Sequence, residues 1–265
     1  MKKDITIILT LYNTPKERII KLSQYKDYKI LIFEQEGSIN SKQNIKNLAK
    51  VNFEYYFSKK NLGLGKATNF LISKVKTKYF LFSQPDIIIS RQSIEALKKG
   101  LSKNKDYIFA GPRFNSKKIK VKRKYNIKNK LNAACMLCNT KNVKKIGFFD
   151  EDFFLYWEDI FLMRKINQSD YKMIQVANSS ATHESGQSSK KNLYLNFIRN
   201  LNFKYGEYLF QYKITRLRKL KIIRQFLQNL LFVLPNFFLF RMEKALLNIS
   251  NILGIFKFII FYLKN

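Results

Sequence analysis

The feature that most limits what this chain can become is a repeated exchange of apolar, strand-length runs and helical stretches through its first 110 residues. Ile5–Tyr12 is the first run, and Lys29–Phe33, Phe53–Phe57, Tyr79–Phe82 and Tyr107–Ala110 follow. Helical patterns lie between them: the stretch opened by Thr14-Pro15-Lys16-Glu17, then Asn40–Lys50, Leu64–Val75 and Ser90–Ser102. Thr14 is expected as the N-cap of the first helix, with Pro15 at its first position and Glu17 closing a capping box. Apolar strands separated by helices predict an α/β fold with a mostly parallel sheet covered on both faces. Ligands then belong at the carboxyl ends of the strands.

The second half is more varied. Residues 115–130 are polar and Lys-rich and read as an exposed connection. Asn132–Asn139 reads as a strand of small apolar residues, Thr140–Ile146 as a short helix ended by Gly147. An acidic-aromatic stretch, Phe148–Asp159, leads into a helix around Ile160–Asn167. Met173–Ala177 is a strand, and Ser179–Ser189 a polar loop holding the single histidine, His183. Beyond Lys190 the pattern is helical and basic.

Composition excludes several function classes. One histidine rules out a multi-His metal centre, and two cysteines rule out a disulfide framework or a four-Cys zinc site. Cys135 and Cys138 sit in an apolar strand and read as core. The net charge of +32 comes mainly from Lys spread over the whole chain. Arg is the better reader of phosphate and base edges, so no specific nucleic-acid partner is expected. Met1-Lys2-Lys3-Asp4 leads straight into a short strand-like run rather than a signal peptide, and no apolar run reaches the ~20 residues of a membrane span. A cytoplasmic location is expected.

Three constellations carry chemistry. Asp150, Glu151, Asp152, Glu158 and Asp159 fall within ten residues of a strongly basic chain, interleaved with Phe153, Phe154, Tyr156 and Trp157. Acids are favoured at a helix N-terminus by its dipole, but aromatic faces beside carboxylates also suit a sugar site. Ser83-Gln84-Pro85-Asp86 follows the fourth strand directly, so Asp86 stands either as a turn residue or as a ligand for a cation bridging phosphates. Asn61-Leu62-Gly63-Leu64-Gly65-Lys66 precedes a helix but lacks Walker spacing, and reads first as a structural turn.

In combination these segments resemble family 2 glycosyltransferases of the GT-A fold, particularly bacterial rhamnosyltransferase-like members, from Ile5 to about Tyr212. The strand ending Leu11-Tyr12-Asn13, the Asn61–Asn69 loop and helix, Gln84-Pro85-Asp86 in place of the DxD motif, and Phe149–Asp159 carry the likeness. Ala133–Leu137 resembles the acceptor-side strand. His183 falls where the family places a histidine metal ligand, followed by Gly186 and Ser188. Gln84 replaces the first DxD acid, and Phe161 stands where an acid is common, whereas Arg164 is kept.

The resemblance implies an inverting, metal-dependent hexosyl transfer from a dTDP-, UDP- or GDP-linked donor to a glycan or lipid-linked acceptor in cell-surface polysaccharide synthesis. Asp159 would be the catalytic base with Glu158 beside it. Leu11, Tyr12, Asn13, Glu34, Asn61, Gly63, Asn69, Gln84 and Asp86 would meet the donor, with Gln35 and Glu36 alternatives to Glu34. Tyr156, Trp157 and Met136 would face the acceptor. Asp86 and His183 would hold a divalent cation, Mg or Mn. The domain expected is 1–212, with 213–265 a helical tail that either docks peripherally on the inner face of the cell membrane or packs on protein. A basic polyanion-binding protein and a catalytically degenerate transferase subunit are the competing readings.

Overall fold

A computed structural model describes residues 2–114, 124–184, 186–189, 192–215 and 217–265. Residues 115–123 of the polar connection and Arg216 of the basic stretch lie outside the described residues. The chain divides into two compact units: residues 1–150 with 162–190, and residues 151–161 with 191–265.

The first unit is the expected α/β sheet. Its strands are β1 (Lys2–Tyr12), β2 (Tyr28–Gln35), β3 (Glu54–Ser58), β4 (Tyr79–Ser83), β5 (Ile87–Ile89), β6 (Tyr107–Phe114), β7 (Tyr125–Lys128), β8 (Cys135–Asn139) and β9 (Lys172–His183). They form one sheet in the order β3-β2-β1-β4-β8-β6-β9-β5, with β7 paired to β9. The β3-β2-β1-β4 portion is wholly parallel, and β8 runs antiparallel to both β4 and β6. Helices α1 (Lys16–Lys21), α2 (Ile39–Ala49), α3 (Leu64–Lys74), α4 (Arg91–Leu101) and α5 (Thr140–Ile146) connect the strands. Alternation along β1 separates two cores. Ile5, Ile7, Leu9 and Leu11 join Ile94 and Leu97 on one side; Ile8 joins Leu71, Phe80 and Phe82 on the other.

Three local expectations change. Thr14 is not the N-cap: Pro15 is, its carbonyl accepts from the Arg18 and Ile19 amides, and the Thr14 hydroxyl instead accepts from the Tyr12 amide. No capping box forms. Part of the expected exposed connection is β7, which gains backbone partners from Val176 to Met173 of β9. β9 also runs on through His183, because β5 pairs with its far end and Ile87 lies opposite His183.

The second unit holds the acidic-aromatic stretch and three long helices: α7 (Leu193–Ile214), α8 (Lys219–Phe238) and α9 (Met242–Lys264). The intervening helix α6 (Glu158–Asn167) begins in this unit, and its Leu162, Met163 and Ile166 enter the core of the first. Phe153 is buried with Tyr205, Tyr208 and Leu209 of α7, Ile222 of α8, and Ile255 and Phe258 of α9. Residues 191–212, expected in the first domain, cluster with the tail in this unit, where α7 shares its core with α8 and α9. The expected absence of a span-length helix is also corrected. Apolar patterning broken by Lys257 still folds into one 23-residue helix, α9, long and apolar enough to cross a membrane by length and composition. Its packing is specific on one side: a Cβ at Gly254 would stand 2.5 Å from the Leu201 carbonyl oxygen. Lys257 donates to Asn202 Oδ1 at 2.7 Å, and Asn251 to Asn229 Oδ1 at 3.0 Å.

Candidate active site

The parallel strands bring their carboxyl ends to one edge of the first unit. Register pairs Tyr12 with Gln35 and Gln35 with Ser58, so the residues following β1, β2 and β3 line up there. Leu11 is wholly buried and offers only backbone, whereas Asn13 is exposed in a left-handed conformation (φ 50°). Glu34 is half-buried and accepts from the Tyr55 hydroxyl at 2.7 Å. Burial raises its carboxyl above the ordinary range, although Tyr55 draws it back. Gln35, one of the alternatives to Glu34, is buried, and its Oε1 accepts from the Leu62 amide at 2.7 Å. It thereby pins the Asn61–Gly63 turn to the end of β2. Asn61 Oδ1 accepts from the Gly63 amide at 2.9 Å, and Gly63 has φ 84°, which a side chain would resist.

Asn69, expected on the donor side, is bonded to the loop after α5. Its amide nitrogen donates to the Phe149 carbonyl at 2.8 Å and its oxygen accepts from the Phe149 amide at 3.3 Å. Both ends of the side chain hold a neighbouring loop. Met136 departs from its expected acceptor role: it is fully buried in the core around β8, because that face of the strand meets helices rather than solvent.

Asp86 is the most unusual side chain of the edge. Three backbone bonds fix its turn. The Gln84 amide donates to Ala134, the Ile87 amide to Gln84, and the Glu184 amide to the Asp86 carbonyl. The half-buried Gln84 replaces a charge with an amide beside it. Asp86 is only 1% exposed, its Oδ2 lies 3.5 Å from His183 Nε2, and its Oδ1 is buried with no hydrogen-bond partner. A buried carboxylate oxygen left unsatisfied is costly and calls for a counter-charge. An oxygen ligand and an imidazole at one spot fit a Mg or Mn ion that takes its other ligands from phosphate and water. No group of three or more His, Cys, Asp or Glu suited to a metal occurs among the described residues.

Glu184, next to His183, was not singled out by the sequence. It forms ion pairs with the buried Arg18 of α1 and, at 2.8 Å, with Lys21, fixing the end of β9. The partners lie 166 residues apart, so no local motif signals them.

In the second unit, the expected catalytic pair opens α6. Tyr156 and Trp157 just before it both adopt left-handed backbone, φ 68° and 72°. Consecutive aromatic residues in that region are strained and persist only where packing holds them. The hold here is α7: Trp157 Nε1 donates to the Phe203 carbonyl at 3.0 Å, and its ring sits where a Cβ on Gly206 would be 2.7 Å from Trp157 Cδ1. Tyr156 keeps part of its ring exposed. Glu158 is 5% exposed and its Oε2 has no hydrogen-bond partner. Burial first, and the Asp159 charge second, push its carboxyl up to about 8. Asp159 is half-buried, with Oδ1 accepting from the Ile160 amide at 2.8 Å.

The mostly parallel sheet flanked by helices is a GT-A-like fold. The family model of glycosyl transferase family 2 matches residues 6–165, and the chain belongs to that family. Solved structures share the fold. TarS from S. aureus is 12% identical with a TM-score of 0.54, over 80% of this chain and 44% of that one. This chain thus spans less than half of that protein. TarS 1-349 in complex with UDP-GlcNAc is 13% identical with a TM-score of 0.51, over 80% and 74%. The mannosyltransferase PcManGT from Pyrobaculum calidifontis, in complex with GDP-Man and Mn2+, is 10% identical with a TM-score of 0.57, over 98% and 75%. At such identities the likeness is one of fold. No curated protein matches the sequence significantly.

Proposed function

We propose that the protein is an inverting glycosyltransferase moving a hexosyl group from a nucleotide-diphosphate sugar to a hydroxyl of a glycan or lipid-linked acceptor, in cell-surface polysaccharide synthesis at the inner face of the membrane. The observation that carries this reading is the buried Asp86 carboxylate with its orphaned oxygen beside His183, at the strand edge where α/β folds bind ligands. Those two side chains would hold a divalent cation, which when bound would neutralise charge on the leaving diphosphate. The Asn61–Gly63 turn, Asn13 and Glu34 border the same edge and would orient the nucleotide. The family resemblance supports a dTDP-, UDP- or GDP-linked donor, with a rhamnosyltransferase-like specificity among them.

The resemblance gives the base role to Asp159, and the upward push on the Glu158 carboxyl by burial and by the Asp159 charge supports that choice. The Asp159 carboxylate takes the acceptor hydroxyl proton as that oxygen attacks the anomeric carbon. The bond from that carbon to the diphosphate oxygen breaks, and the nucleoside diphosphate leaves with the electron pair. One displacement from the opposite face inverts the centre, so only one basic carboxylate is required. The test is Asp159→Asn in full-length protein against a panel of nucleotide sugars. Turnover should fall about a hundredfold or more while calorimetric donor affinity is kept. Near-normal turnover would sink the assignment.

A further inference from the structure

The turn between α8 and α9 presents apolar side chains where a water-facing helical hairpin would present Gly and polar residues. From Gln225 to Phe240 the sequence has no charged residue, and Arg224 and Arg241 bound the stretch. Leu234, Phe237, Phe238, Leu239 and Phe240 are all exposed, Phe238 by 73% and Phe240 by 91%. Phe240 also takes the left-handed position that ends α8 (φ 55°), and the Arg241 amide reaches back to the Asn236 carbonyl at 2.8 Å. That closing motif ordinarily uses glycine. One residue thus breaks two local rules, with a strained backbone carrying a fully presented aromatic ring. Such coincidences mark positions shaped by function rather than by folding.

We infer that the α8–α9 tip is a membrane anchor that inserts into the interface of an anionic bilayer. Charge selects this occupant. Past Glu207 the sequence carries ten Lys and Arg and a single acid, Glu243. Arg241 and Lys244 flank the exposed rings at the tip, and both are exposed. Aromatic rings immersed to the acyl boundary, with basic side chains reaching lipid phosphates, describe shallow insertion of about 5–10 Å. A second copy docked symmetrically on the tip would set Arg241 and Lys244 against their own counterparts, which opposes that occupant. α9 does not act as a lone span in this arrangement. Its Asn251 and Lys257 are tied to α8 and α7, so the hairpin enters as a packed unit rather than as an isolated helix.

The inference deepens the membrane location proposed above without resting on the transfer chemistry, and its assay needs no turnover. Full-length protein is sedimented with vesicles of phosphatidylcholine alone, or with about 30% phosphatidylglycerol, at low salt. Wild type should pellet with the anionic vesicles and stay soluble with the neutral ones. Phe238→Ser with Phe240→Ser should weaken partitioning at least about tenfold, with circular dichroism and solution mass unchanged. Arg241→Gln with Lys244→Gln should reduce the preference for anionic lipid. The inference is overturned if wild type remains in the supernatant with anionic vesicles, or if the double Ser variant pellets as before. It is equally overturned if wild type is a dimer that the Ser variant converts to monomer, because the tip is then a subunit seam.

Discussion

Glu158→Gln isolates the electrostatic strain at the start of α6. The substitution keeps the side chain's shape and removes its ionisation. The carboxyl moves from an ordinary value of 4.5 to about 8 on folding, chiefly by burial. Between those values the unfolded chain has released the proton and the folded chain has kept it. The unfolded state binds fewer protons, so wild-type stability falls as pH rises through that window. Each pKa unit is worth about 1.4 kcal/mol, so the full penalty is on the order of 5 kcal/mol above pH 8. At pH 4.5 or below the group is neutral in the folded state and the penalty is absent. The chain's single tryptophan, Trp157, lies beside Glu158, and its fluorescence reports urea unfolding of the unit that contains both. Wild type and Glu158→Gln should be nearly equal near pH 5 and diverge toward pH 9, with the variant more stable. Stability curves that stay parallel across this range would refute the buried, protonated carboxyl.

Activity should vanish with excess chelator and return with added Mg or Mn, and Asp86→Asn should lose that recovery; full activity in chelator would contradict a cation at Asp86 and His183. Gly254→Ala should destabilise the second unit by about 1–3 kcal/mol despite alanine's higher helix propensity, because the new Cβ meets the Leu201 carbonyl rather than open space. A Trp157-monitored urea midpoint at or above wild type would show that α9 can shift away from α7.

Much of the sheet was legible because its strands are apolar on both faces and alternate with helices. What the sequence concealed depended on distant partners. β5 is only three residues, and its pairing with β9 turns His183 from a loop residue into a strand residue opposite Ile87. β7 is only four residues, so its Tyr125–Ile127 alternation is too short to stand out from the polar connection, and it exists through its backbone bonds to β9. At the candidate site, Asp86 and His183 stood out by their types and positions in the chain. Met136 has a suitable type, yet packing commits it to the core, and the bonds that tie Asn69 to the Phe149 backbone had no local signal. The Gln35 bond to Leu62 and the Arg18–Glu184 pair were hidden because a hydrogen-bond partner across the fold leaves no periodic trace.

The anchoring of Trp157 on Phe203 and Gly206 has a consequence for chimeras between related enzymes. The family match ends at residue 165, whereas the helix that seats Trp157 begins at Leu193. A graft that exchanges everything after the family boundary would bring a foreign α7 to a native Glu151–Phe161 segment. Unless that helix offers a small residue opposite the indole and a free carbonyl for its N–H, the two left-handed residues before Glu158 lose their support. The interchangeable cassette is therefore discontinuous, and residues 151–161 should travel with the C-terminal helices.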